Sequence, residues 1–212
     1  MLDLKSIYLN FLSVRKITTK SFREIFFSTS FYNKHLQSEI PSRFFFYPNP
    51  YLLSPLLNHE DYLLRISKFE ANYFWNNLKN ENDKKNIHSF LWLNLIDRKN
   101  EKETIKKIIG DWIKKYGNYK KDIWDENIVS KRIMTWISNA DIFLDRKEDR
   151  FQKIFTESLI KQLNFLKKNL NIVSYETTKI SCLSSIILSG LVFREYYSNY
   201  NFGLKELKKI ID

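Results

Sequence analysis

Ile105, Ile108, Ile109, Trp112, Ile113 and Tyr116 recur at i, i+3, i+4, i+7, i+8 and i+11, which puts all six side chains on one face of an α-helix. Lys106, Lys107, Lys114 and Lys115 alternate with that face and form the outer surface of the same helix. Gly117 follows the last periodic residue, as a C-terminal stop should. No other stretch of the 212 residues carries so strong a pattern, and it sets the reading of its neighbours.

Helical period extends on both sides. Ile87, Leu91, Asn94 and Leu95 share one face of a preceding helix that begins near residue 83. A third helix is expected from about Asp125 to Leu144, with Val129, Ile133, Trp136, Ile137 and Ala140 inward, and a fourth from about Glu148 to Leu170. The fifth, about Tyr175 to Tyr197, is apolar on most of its circumference and is expected to be a buried inner helix. A sixth starts at Gly203. Short links between successive helices imply antiparallel helix hairpins. Only four Gly and four Pro occur, too few for the turns of a β-sandwich or barrel or for a Gly-rich phosphate loop. The fold class is therefore all-α. Residues 1–59, which hold all four prolines, read as an irregular N-terminal arm lying over the helical part, residues 60–212. Tyr62 to Phe69 suits a short strand or an extended strip equally. The apolar fifth helix needs neighbours on several sides, so the core of these helices is expected to be unfinished.

Several function classes fall away on composition. Hydrophobic residues make up 43% and aromatics 16%, enough apolar surface for a core, so wholesale disorder is excluded. Cys182 is the single cysteine and supports neither an internal disulfide nor a Cys-rich zinc site. His88 has no second His or Cys at ligand spacing, and neither a metal nor a cofactor is expected. No apolar run reaches the roughly 18 residues of a membrane span, and no membrane partner is expected. The first twenty residues place Lys5 and Asn10 inside their apolar run and show no small-residue cleavage site, so export is not expected and the cytoplasm is the default compartment. The formal net charge is +11, partly a consequence of the Lys, Asn and Ile richness that an AT-rich genome imposes. Arg98 to Lys121 holds nine Lys or Arg against three Asp or Glu, a net +6. Such a face is either plain solvated surface or an attractor of polyanions. No KH, RNP or helix-turn-helix signature accompanies it, and nucleic acid is not the expected partner.

The segment WDENIVSKRIMTWI places Arg132 and Trp136 four residues apart on one helical face, beside Val129 and Ile133, with Trp124 and Ser130 upstream. A guanidinium at a core boundary needs a compensating partner. Two readings stay open. Arg132 pairs with Asp125, Glu126 or Asp141 inside an ordinary core, or the indoles and the Arg fork form a cleft for an acidic sugar. His88 and Trp92 open the first clear helix (NIHSFLWL).

The run from His88 to about Leu191, through HSFLWLNLIDRK, GDWIKKYGNY, WDENIVSKRIMTWISNADIFL, FQKIFTESLIKQLNFLKKNL and SSIILSGLVF, resembles the N-terminal helical region of heparinase II/III-like proteins, especially the α-proteobacterial form. It covers about half the chain, and the Trp/Ser/Arg/Trp segment is its most specific piece. The resemblance implies an incomplete (α/α) toroid that full-length members continue and join to a β-sandwich. It further implies a cleft for acidic polysaccharides, cut by β-elimination beside a uronic acid. The residues expected to line that cleft are Trp92, Trp124, Arg132 and Trp136, with His88 beside them, in binding rather than bond breaking. The chemistry needs a group that neutralises the uronate, a base for the C5 proton and an acid for the leaving oxygen. Family lyases typically supply an Asn-His pair before the inner helix, then a downstream Tyr and His. Here Thr177 and Thr178 stand where Asn-His is expected, and the Tyr and His segments would lie beyond Asp212. No catalytic residue is therefore assigned, and no lyase activity is expected of the chain alone. A C-terminal lyase half encoded downstream is an expected partner, and a non-catalytic helical module that docks another chain is the alternative.

Overall fold

In the computed structural model, which describes residues 21–53, 81–95, 102–144 and 150–212, every regular element is helical. Residues 21–28 form α1, and Thr29 caps the short α2 (Ser30–His35) by accepting from the Tyr32 amide at 3.2 Å. The larger helices follow: α3 (Glu81–Ser89), α4 (Lys102–Tyr116), α5 (Glu126–Ser138), the one-turn α6 (Ala140–Phe143), α7 (Arg150–Asn169), α8 (Glu176–Val192) and α9 (Tyr197–Ile211). The ambiguous Tyr62 to Phe69 strip lies outside the described residues.

Periodicity placed α4 within a few residues, and Ile105, Ile108, Ile109, Trp112 and Tyr116 are its buried face. Elsewhere the boundaries moved for local reasons. The first expected helix breaks at Phe90, whose φ of 62° is left-handed, and the chain goes on as a 3-10 turn, Leu91–Leu95. That conformation costs a bulky residue about 1–3 kcal/mol. Its ring offsets the cost, being fully buried among Trp92, Trp112 and Trp136. The third helix ends at Asn139, whose side-chain amide donates back to the Thr135 carbonyl at 3.0 Å. The fifth stops at Val192, where Phe193 turns extended, and the sixth already begins at Tyr197.

Gly203 therefore lies inside α9 and does not start it. A Cβ there would sit 2.4 Å from Ile187 Cγ1, and one at Gly190 of α8 would sit 2.4 Å from the Tyr200 amide nitrogen. The two glycines let α8 and α9 approach more closely than any side chain permits.

The helix wrapped by neighbours is α5 rather than α8. It packs against α3, the 3-10 turn, α7 and α8, and ten of the eleven positions from Ile128 to Ser138 are buried, Lys131 being the exception. Its buried hydroxyls are satisfied within the fold. Ser130 donates to the Asn127 carbonyl at 2.9 Å and Thr135 to the Lys131 carbonyl at 2.8 Å. By contrast α8 packs on α5, α7 and α9 yet leaves Ile180 and Leu191 exposed. The N-terminal arm shares the core: Phe27, Tyr32, Leu36 and Phe44 belong to the same buried cluster as the helices. Asn164 donates to the Leu36 carbonyl at 2.8 Å, and the Phe45 amide to the Val192 carbonyl at 3.0 Å, fastening the arm across α7 and the end of α8.

Candidate functional site

The five residues expected to line a sugar cleft are all buried. His88, Trp92, Trp124, Arg132 and Trp136 are at most 3% exposed. Four of them gather around a fifth aromatic, Trp112 of α4. The Arg132 guanidinium lies 4.2 Å from the centre of the Trp112 ring, and Trp136 meets that ring edge-on at 5.3 Å. The Trp112 indole N–H donates to His88 Nδ1 at 3.0 Å. Trp92 joins through Phe90, 5.4 Å between ring centres. Trp124 stands apart against Phe165 and donates to the Tyr116 carbonyl at 2.9 Å. None of the five turns a ring face or a charge toward solvent, so the cleft-lining role expected of them has no surface to act through. The cause is α5: with helices on several sides, its Arg132 and Trp136 point into the core rather than along an open edge.

No carboxylate among the described residues pairs with Arg132, contrary to the reading that gave it Asp125, Glu126 or Asp141. Its Nε donates to Gln162 Oε1 at 2.6 Å, and its Nη1 to the carbonyls of His88 at 2.8 Å and Ile123 at 3.2 Å, while Nη2 has no hydrogen-bond partner among the described residues. Asp125 instead caps α5, accepting from the amides of Asn127 at 3.0 Å and Ile128 at 3.4 Å. Burial pulls the guanidinium pKa down from its usual value. The cation is carried by neutral acceptors and one aromatic face, an arrangement that ties α3, α4, α5 and α7 together.

His88 feels the same environment. Burial first, then the nearby Arg132 charge, lowers its pKa to about 3. The ring is therefore neutral at pH 7, with Nδ1 free of a proton to accept from Trp112. An unfolded chain takes up that proton near pH 6.5, whereas the folded chain resists until about 3. Between those limits protonation favours unfolding, so the contribution of His88 is complete above pH 6.5 and is lost as the pH falls toward 3. Denaturation in urea at stepped pH is expected to show this as a slope of up to about 1.4 kcal/mol per pH unit. His88→Gln, which keeps an acceptor and does not titrate, is expected to flatten it. An unchanged acid slope in that variant would show that other groups carry the effect.

What the molecule offers to solvent lies elsewhere. A groove of about 520 Å³ runs between the arm, the end of α4 and α7, and its charged lining is Lys114, Lys115, Lys120, Lys161 and Glu157. None of the four lysines forms an ion pair among the described residues. Lys161 is the built feature. It is 8% exposed, it donates to the Gly117 carbonyl at 2.9 Å and to Asn118 Oδ1, and burial lowers its pKa to about 8. Gly117, read as a helix stop, thus also supplies the carbonyl that orients this ammonium. Two acceptors leave one ammonium hydrogen for a ligand. Ser158, Gln37 and Ser38 add hydroxyl and amide groups to the lining.

Sequence pattern pointed at Lys114 and Lys115 as outer surface and missed Lys161 and Asn118. Lys161 occupies a buried position of α7 next to Leu159, Ile160 and Leu163, and a lone cation in an apolar run was the one available signal. No cluster of metal-ligating side chains occurs among the described residues, and no helix among them is long and apolar enough to cross a membrane. Comparisons of the chain with protein-family profiles, with curated proteins and with solved structures find no match.

Proposed function

We propose that this chain is the N-terminal helical part of a heparinase II/III-like polysaccharide lyase, the opening helix pairs of an (α/α) toroid, and that its own task is to hold an acidic, uronate-containing glycan. The motif resemblance between His88 and Leu191 and the all-helical fold support the family reading. The observation that carries the binding role is the groove in which four lysines meet with no ion-pair partner among the described residues, one of them oriented by Gly117 and Asn118. Cations held in a concave site attract carboxylate and sulfate groups more strongly than the same charges dispersed on a convex face. The role proposed for the groove is to bind and steer the glycan.

The test is calorimetric binding of heparan sulfate and alginate oligosaccharides to the purified chain, with ultraviolet absorbance followed for unsaturated uronate. Binding that weakens steeply with added salt is expected, without unsaturated product. Combined charge reversal of the exposed Lys114, Lys115 and Lys120 to Glu is expected to lower affinity by about tenfold or more at a stability cost of only about 1–2 kcal/mol, which comes from acidic residues in the last turn of α4. Equal binding of an uncharged glycan of the same length, or indifference to the charge reversal, would remove the proposal.

A further inference from the structure

We infer that the Lys161 groove is one half of a longer trough that takes an extended, linear glycan whose acidic groups are spaced along it. The inference rests on the acidic-glycan reading of that groove and adds to it a length and a direction. A second hollow, of about 500 Å³, lies beyond Ile40, the residue lining both, and is bordered by Pro41, Ser42, Arg150, Lys153 and Thr156. The two hollows share a floor. Arg150, Lys153, Glu157 and Lys161 fall at i, i+3, i+7 and i+11 on one face of α7, spanning about 16 Å of helix axis.

The facing wall is the stretch 37–42, and it is held in place rather than loose. The Ser42 amide and hydroxyl both donate to Glu195 Oε1, at 3.0 and 2.7 Å, and the Asn164 amide donates to Ser38 Oγ at 2.9 Å. A wall fixed before binding spares the ligand the cost of ordering it. Like the lysines of the first hollow, Arg150 and Lys153 form no ion pair among the described residues.

The lining also selects the class of polyanion. Among the described residues neither hollow is lined by an aromatic ring, so they offer no platform on which the bases of single-stranded nucleic acid would stack. Glu157 sits between the cations of the two halves. It repels a uniformly charged phosphate chain at its midpoint and accepts a hydrogen bond from a sugar hydroxyl there. A chain with charges toward both ends and hydroxyls between them matches that alternation.

The experiment compares a heparan sulfate disaccharide with an octasaccharide, by calorimetry, on the native chain and on the double variant Arg150→Glu/Lys153→Glu. Both positions are exposed in the first turns of α7, where acidic residues suit a helix start, so the fold is expected to hold and circular dichroism verifies it. The octasaccharide is expected to bind the native chain at least about tenfold more tightly than the disaccharide. The double variant is expected to lose that gain, its affinity for the octasaccharide falling to about its affinity for the disaccharide. If length brings no gain, or the gain survives the double variant, the trough is wrong and the Lys161 groove stands alone. If neither sugar binds, the acidic-glycan reading falls and takes the trough with it. Tighter binding of an oligothymidylate of equal charge than of the octasaccharide would overturn the assignment in favour of nucleic acid.

Discussion

Arg132→Ala is expected to lower the stability of the folded chain by about 3 kcal/mol, measured by urea denaturation at pH 7. Three losses contribute. The Gln162 side-chain oxygen and the carbonyls of His88 and Ile123 lose a charged donor inside the core, at about 1–3 kcal/mol for an acceptor left unsatisfied. The face of Trp112 loses its cation at 4.2 Å, and a cavity opens. One gain opposes them, because the variant no longer holds a buried cation without a carboxylate. The losses win: a guanidinium with three hydrogen bonds and an aromatic face is already compensated in part, whereas stranded acceptors are reached only by water entering the cavity. Arg132→Met separates the two sides. It refills the volume and removes the charge, so its cost is expected to fall below that of alanine. A variant with alanine at this position that folded as well as the native chain but no longer bound acidic oligosaccharides would restore Arg132 to a glycan site and refute its structural role.

Trp112→Ala is expected to have the largest effect on stability, about 4 kcal/mol or more, which brings a domain of ordinary stability close to unfolding. The indole is fully buried, meets Trp136 edge-on, touches Phe90, underlies Arg132 and donates to His88, so its removal unmakes the centre at which α3, α4 and α5 meet. Trp112→Phe keeps an aromatic face and removes the hydrogen bond, and its cost is expected to be smaller, about 1–3 kcal/mol. A double-mutant cycle between Trp112→Phe and Arg132→Met isolates their coupling, expected at about 1 kcal/mol. Near-ultraviolet circular dichroism reports whether the cluster survives. If Trp112→Ala kept a native spectrum and native stability, the cluster would not be the centre of the fold.

Groove binding and core packing are thus separable by experiment. Charge reversal at Lys114, Lys115 and Lys120 changes affinity and salt dependence at a modest cost to folding, whereas substitutions at Arg132 and Trp112 change folding first. Lys161 belongs to both sides. Its ammonium is held by protein acceptors and also lines the groove.

Helix α4 was readable from residues 105 to 116 because amphipathic period is a property of contiguous residues and needs no knowledge of what lies opposite. The same local information placed the Asp125 start of α5. It misjudged which helix is central. α8 advertises burial through Ile, Leu and Val, while α5 hides it behind Ser130, Arg132, Thr135 and Ser138: the hydroxyls of Ser130 and Thr135 turn back onto carbonyls of α5 itself, and Arg132 finds its acceptors only once distant segments have packed.

Arg132 was recognised from its spacing as a cation near the core boundary, but its partners were not. Gln162 is thirty residues away, and the carbonyls of His88 and Ile123 carry no side-chain signature at all. The groove was hidden for the same reason. Lys114 lies on α4, Ser38 on the arm and Lys161 on α7, and only the docking of these three elements places them around one space. Local periodicity decides where the chain becomes helical, since each backbone hydrogen bond closes within four residues. The burial of a charge and the shape of a site depend on contacts between distant segments, which exist only after those helices have packed.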